Sequence, residues 1–178
     1  MSGNFHSRQT AIVGLGLMGG SLALALRGVA DHITGVDPDP ATCDYALQTG
    51  MIHSATDDLR AGIADADTVI LCAPVRSVLD LVKGRIGSYL RSNTLLIDIG
   101  STKKDICDAM GRLPIGIHAI GGHPMTGKER SGIAASDAAL YADRPFVLCP
   151  TRRTTPATRL RALALVEALQ AVPIEMEA

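Results

Sequence analysis

Apolar runs of strand length alternate with stretches of helical period along almost the whole chain. Ala11-Ile12-Val13 is β-favouring and runs straight into glycines, and a helix-like run follows as Leu22 to Leu26. Gly28 is placed to stop that helix. Ile33-Thr34-Gly35-Val36 reads as a second buried strand ending at Asp37. Ala41 to Gln48 predicts a short helix closed by Gly50, and Asp57 to Ala64 a second helical piece. Asp57 or Asp58 sits near its N-terminus, where a carboxylate is favourable. Thr68 to Cys72 is a continuous apolar run, stopped at Pro74, which cannot continue a central strand. From about Ser77 to Leu90 a helix carries Val78, Leu79, Val82 and Ile86 on one stripe.

The second half continues the alternation. Thr94 to Ile99 predicts a strand, Gly100-Ser101-Thr102 its turn, and Lys103 to Met110 a helix with Ile106 and Met110 inward. Ile115 to Ile120 predicts a strand opening into a long Gly-rich polar loop, Gly121 to Gly132. Arg144 to Cys149 is a further strand, set near an edge by Pro145. Thr155 caps a helix with proline at its first position; it runs to about Gln170 on Leu160, Leu163, Val166 and Leu169. Pro173 to Glu177 predicts a last short strand. No repeat, low-complexity tract or linker interrupts the series. Such alternation implies α/β architecture with a mostly parallel, doubly wound sheet.

Composition fits that sheet. Apolar residues make up 47% of the 178 residues and aromatics 3%, so Ala, Leu, Ile and Val must build the core. That length suits a single domain, residues 1–178. Seventeen basic and 18 acidic residues are mixed along the chain, with no basic block suited to nucleic acid or an anionic membrane. The four cysteines, Cys43, Cys72, Cys107 and Cys149, have no paired spacing, so no metal site is expected and reduced buried thiols fit best. Met1 to Thr10 is polar, without a signal core, and no apolar run reaches membrane-spanning length. The expected location is cytoplasmic.

The first candidate chemistry is Gly14-Leu15-Gly16-Leu17-Met18-Gly19, a G-x-G-x-x-G pattern between strand and helix. Gly14 permits a tight turn, Gly16 lets backbone approach a pyrophosphate, and Gly19 allows helix and strand to pack closely. Free N–H groups at the helix start would face the phosphates. Asp37 follows at about the 20-residue separation expected of the acid that binds the adenosine ribose. Its other reading is a solvated turn acid, since Asp37-Pro38-Asp39-Pro40 is also turn chemistry. A Rossmann-type dinucleotide domain that prefers NAD to NADP is the expectation.

Ligands of such sheets bind at the carboxyl ends of strands, which collects the glycine turn, Asp37, Ala73-Pro74, Ser101 and His123 on one rim. His123 is a candidate proton acceptor, because an imidazole titrates near neutrality. It is equally readable as a loop histidine tied to nearby backbone. Ser101 is readable as a hydroxyl partner of substrate or histidine, or as the N-cap of the helix starting near Lys103. His6, His32, His53 and His118 have no such setting, and His118 reads as a structural strand histidine. Lys103, Lys104, Lys128 and Arg130 are rim cations or plain surface charges.

Four segments together resemble prephenate/arogenate dehydrogenases: Gly14 to Ser21, Ala73-Pro74-Val75, Asp98-Ile-Gly-Ser-Thr-Lys103, and Gly122-His-Pro-Met-Thr-Gly127 with Glu129 and Ser131-Gly132. The resemblance runs from about Ala11 to the C-terminus. It implies NAD(P)-dependent oxidative decarboxylation of prephenate or arogenate in tyrosine biosynthesis. His123 matches the family's catalytic histidine and Ser101 its hydroxyl partner, with Lys128 and Glu129 beside the substrate. Gly14, Leu15, Gly16, Leu17, Met18, Gly19, Asp37, Ala73, Pro74 and Val75 match the cofactor side. Lys128 departs from the family, many of whose members have a small hydroxyl residue there. Family members continue into a helical domain that forms a homodimer and supplies substrate-binding residues, and this chain ends where that domain would begin. The alternatives are an NAD-binding or regulatory module without turnover, and a related dehydrogenase of 3-hydroxyacids.

Overall fold

The computed structural model describes residues 5–178; Met1 to Asn4, part of the polar N-terminal stretch, lie outside the described residues. The strands are β1 (Ser7–Val13), β2 (Ala30–Val36), β3 (Ser54–Thr56), β4 (Thr68–Leu71), β5 (Leu95–Asp98), β6 (His118–Pro124), β7 (Pro145–Pro150) and β8 (Val172–Glu175). Between them run α1 (Leu17–Ala25), α2 (Pro40–Gln48), α3 (Leu59–Ile63), α4 (Val75–Lys83), α5 (Ile86–Tyr89), α6 (Lys104–Met110) and α7 (Pro156–Ala168). The eight strands form one sheet in the order β3-β2-β1-β4-β5-β6-β7-β8. Every pairing is parallel except β6 with β7. The expected doubly wound α/β sheet is therefore present, with an antiparallel step before its last two strands. Strand order reverses between β1 and β4, and that reversal opens a crevice at the carboxyl ends.

The central strands are apolar on both faces because both are covered. Ile12, Ile33, Ile70, Ile97 and Ile120 pack with residues of α1, α2 and α7, while Val13, Val69, Leu71 and Leu96 pack with residues of α3 to α6. Helix starts are held by side chains where the sequence offers them. Asp39 accepts from the amides of Ala41 and Thr42, and Asp58 from those of Arg60 and Ala61. Thr155 and Thr158 form a reciprocal capping box. No helix among the described residues is long and apolar enough to cross a membrane.

Several boundaries differ from those predicted. α1 starts at Leu17, directly after Gly16, rather than at Leu22. The helix expected over Ser77 to Leu90 is two pieces, parted at Gly84 and Arg85, although Val78, Val82 and Ile86 still share the core. β3 was not foreseen: its Ser-Ala-Thr sequence carries no apolar signal and pairs only with the end of β2. β6 starts three residues later than expected and runs through Gly121, Gly122 and His123 to Pro124; Ile115 is left 90% exposed. On α7, Leu160 is 62% exposed, and Ala162, Leu165, Val166 and Leu169 do the burying.

Candidate active site

The turn after β1 is set by three glycines with three different surroundings. Gly14 has φ +95°, and a Cβ there would lie 2.8 Å from the amide nitrogen of Ala73 on the neighbouring strand's turn. A Cβ on Gly19 would lie 1.9 Å from the Gly14 carbonyl oxygen, so this glycine lets α1 sit against the turn. Beside Gly16 there is nothing within 4 Å, and the space opens into a cleft. Gly16 is also the N-cap of α1 and offers no side-chain acceptor, leaving the first amides of the helix without a cap. Open space beside Gly16 and uncapped amides behind it fit the pyrophosphate of a dinucleotide.

The cleft, about 1020 Å³, runs along the carboxyl ends of β2, β1, β4 and β5. Gly14, Gly16, Leu17, Met18, Asp37, Ala73, Pro74, Val75, Ser101 and Lys128 all line it. Leu15 and Gly19 lie outside this lining; the Leu15 side chain is fully buried in the core. Asp37 accepts from the Leu15 amide at 2.8 Å and from the Asp39 amide at 3.0 Å. Its carboxylate thus ties the glycine turn to the end of β2 while still facing the cleft. Asp57, Leu59, Ser77, Asp80 and Leu81 complete the end beyond Asp37. Sequence reasoning missed these, although Ser77 and Asp80, three apart on α4, are the polar positions a helix would turn to such a cleft.

At the other end, Ser101 follows β5 and is exposed. It is not the cap of α6, whose N-cap position is Lys103 and lacks a side-chain bond. Lys103 is no free rim cation either. Its ammonium donates to the Asp98 carboxylate and, at 2.6 Å, to the Gly122 carbonyl. Asp98 is fully buried and also accepts from the amides of Gly100 and Gly122. Burial pushes its carboxyl above the ordinary carboxylate range, opposed by the Lys103 ammonium and those two amides. This buried pair fixes the end of β5 to β6 one residue before His123.

His123 lies within β6, opposite Val147 of β7, and not in a loop. Two features extend the strand past Gly121 and Gly122. A Cβ on Gly122 would lie 2.6 Å from the Asp98 carbonyl oxygen, and antiparallel β7 supplies bonding partners out to Pro124. The His123 ring is half-buried, and its Nδ1 is buried without a hydrogen-bond partner among the described residues. His123 is outside the cleft lining. The other histidines have local partners. His118 Nδ1 is hydrogen-bonded to Thr158 Oγ1 at 2.8 Å, His6 pairs with Asp31, and His32 meets Ser54. His53 accepts from the Ile33 amide.

The segment after β6 folds back over α1. Lys128 pairs with Asp137 at 2.9 Å, the Asp137 amide donates to Ser21 Oγ, and Tyr141 donates to the Met18 carbonyl at 2.7 Å. Lys128, Arg130, Ser131 and Gly132 form the cleft wall facing the glycine turn, whereas Glu129 lines only a smaller adjoining cavity that shares Arg130 and Ser131 with it. Among the described residues no group of three or more His, Cys, Asp or Glu is placed to hold a metal ion.

Known proteins share this fold. The model of the prephenate dehydrogenase nucleotide-binding domain matches residues 21–175. Prephenate dehydrogenase of Bacillus subtilis is 34% identical over 146 residues, 80% of this chain and 39% of that protein. Among solved structures, prephenate dehydrogenase of Aquifex aeolicus, in complex with hydroxyphenyl propionate and NAD+, superposes with a TM-score of 0.84. It is 29% identical, and the match covers 96% of this chain and 60% of that one. Synechocystis arogenate dehydrogenase gives 0.86 at 29% identity, covering 95% and 59%. The chain thus spans about 40% of the length of the Bacillus relative. By sequence and fold it belongs to the family of prephenate dehydrogenase nucleotide-binding domains.

Proposed function

We propose that this chain, as one dinucleotide-binding domain, holds NAD in the cleft and forms the cofactor half of an enzyme that oxidatively decarboxylates prephenate or arogenate. The observation that carries the reading is the cleft itself. It joins an uncapped helix start, the open space beside Gly16, Asp37 and Ser101 along one set of strand ends. The Aquifex structure, with NAD+ and a hydroxyphenyl acid bound, supports it by family kinship.

In this reading the amides of Leu17 and Met18 receive the pyrophosphate, and Asp37 receives the adenosine ribose. Ala73, Pro74 and Val75 flank the dinucleotide. When bound, the nicotinamide supplies the carbon that accepts hydride from the substrate. His123 takes the hydroxyl proton of the substrate ring at an imidazole nitrogen, and Ser101 Oγ orients that hydroxyl. Carbon dioxide leaves as the ring becomes aromatic, so the residues need mainly to orient substrate and hold one proton. Lys128 and Glu129 stand beside the substrate entrance. Anchored at Asp98 through Gly122, the His123 backbone is fixed before substrate arrives.

A second reading, a dinucleotide-binding module without turnover, is favoured by the position of His123 outside the cleft lining. One set of measurements separates the two. NAD binding is measured by calorimetry on this chain, and prephenate and arogenate oxidation on a chimera with the C-terminal part of the Bacillus subtilis relative. His123→Asn should lower turnover by about 10²–10⁴ and leave NAD affinity unchanged. Failure to bind NAD at millimolar concentration overturns the proposal; undiminished turnover by the variant overturns the role of His123.

A further inference from the structure

We infer that Arg130 is a pyrophosphate ligand: its guanidinium, carried on the strap of residues 126–132, binds the phosphates of a dinucleotide from the side opposite the α1 amides. The inference rests on the dinucleotide reading of the cleft and adds a charged residue to it.

The charged side chains lining the cleft are Asp37, Asp57, Asp80, Lys128 and Arg130. A dinucleotide brings two negative charges on its pyrophosphate, and three carboxylates already face the cavity. Attraction must therefore come from the helix start and from the two cations. Lys128 is committed to Asp137 at 2.9 Å. Arg130 has no ion-pair partner among the described residues. Among the described residues it is the one cation lining the cleft whose charge is not already matched.

Position supports the same assignment. Lys128, Arg130, Ser131 and Gly132 line the cleft and Glu129 does not, so both cations of the strap border the cleft, Arg130 at the lip shared with the smaller cavity that Glu129 lines. The strap's continuation is seated on α1, the helix whose first turn would receive the phosphates. Tyr141 donates to the Met18 carbonyl, the Asp137 amide to Ser21 Oγ, and Ser136 occupies the space where a Cβ on Gly20 would be 2.2 Å from its Oγ. Gly132, at φ +85°, ends the strap in a conformation that favours glycine. A guanidinium suits the role because its rigid planar fork matches two phosphate oxygens with parallel N–H donors, a geometry that the point-like ammonium lacks.

The test uses the full chain, with adenosine, ADP-ribose and NAD as probes in calorimetry and competition. Arg130→Gln should weaken ADP-ribose and NAD about tenfold, the worth of one charge-assisted hydrogen bond, and leave adenosine unchanged. Salt dependence of ADP-ribose binding should become shallower, and Arg130→Lys should restore part of the loss. Arg130 is exposed, so matched thermal melts will show the variants folded. Unchanged ADP-ribose affinity in Arg130→Gln overturns the inference alone, and does so equally if prephenate or arogenate binding is what weakens. Failure of the unmutated chain to bind ADP-ribose or NAD overturns the dinucleotide reading as well.

Discussion

Alanine at Gly16 and at Gly19, placed one at a time, should separate contact with ligand from packing within the protein. At Gly19 the added methyl carbon lands 1.9 Å from the Gly14 carbonyl oxygen, 3.0 Å from its carbon and 3.2 Å from Ile12 Cγ2. Ordinary contact begins near 3.4 Å, and the obstructing atom is backbone, so the start of α1 must retreat by more than an ångström. Overpacking of that kind costs about 1–3 kcal/mol, and better helix propensity returns at most about 1 kcal/mol. Gly19→Ala should thus be destabilised by about 1–2 kcal/mol, with weaker NAD binding because the amides move. At Gly16 the methyl meets no protein atom within 4 Å, and φ −68° suits alanine. Stability of Gly16→Ala should change by less than about 0.5 kcal/mol. Its methyl instead occupies the space proposed for phosphate. Losing one charge-assisted bond of about 1.5–3 kcal/mol predicts a 10- to 100-fold rise in Kd for NAD. Urea titration and calorimetry on both variants check this. A Gly16→Ala protein that binds NAD normally, or a Gly19→Ala protein as stable as the parent, refutes the reasoning.

Lys103→Met should cost about 3–5 kcal/mol at pH 8, because Asp98 is left buried without a counter-charge, and Asp98→Leu with Lys103→Met should recover much of it. Without Lys103 the Asp98 carboxyl rises further above its ordinary 3.8, so its folded form favours the proton; the single variant should lose less stability near pH 4 than at pH 8. Urea midpoints across pH show which way the loss runs, and an equal loss at both values contradicts this account. NAD should bind more tightly than NADP, since a 2′-phosphate would meet Asp37 with Asp39 two residues on; equal dissociation constants at low salt would count against Asp37 as ribose ligand. Cys43, Cys107 and Cys149, all buried, should react slowly with a disulfide reagent at pH 8 until urea is added. Burial pushes each thiol above its ordinary range, Cys107 up to about 12. Rapid labelling of any one in the folded chain would show an opening the structure lacks.

The strands other than β3, and the glycine turn, were legible because their signals are local: an apolar run, a glycine spacing, an acid at the next strand's end. What stayed hidden depended on neighbours. Gly121, Gly122 and Pro124 spell a turn on their own, yet they form strand because β7 pairs with them antiparallel and the Asp98 backbone needs the space of a missing side chain. Leu160 looked inward by period, but the buried stripe of α7 runs through Ala162, Leu165 and Val166 to Leu169 and leaves that leucine outside. Lys103 looked like a surface charge, and only folding shows the buried carboxylate it serves. The end of the cleft beyond Asp37 was not legible because Asp57 and Asp80 come from different elements with no common motif.

The seat of α1 also has a consequence in time. Met18 is held by Tyr141 and Ser21 by Asp137, partners 123 and 116 residues further along the chain. A ribosome adding about 5–20 residues per second needs about 6–25 s to span the longer interval. For that period the glycine turn exists with its helix unlatched, and nascent chains stalled before Tyr141 should expose α1 to proteases that spare it once the latch has closed.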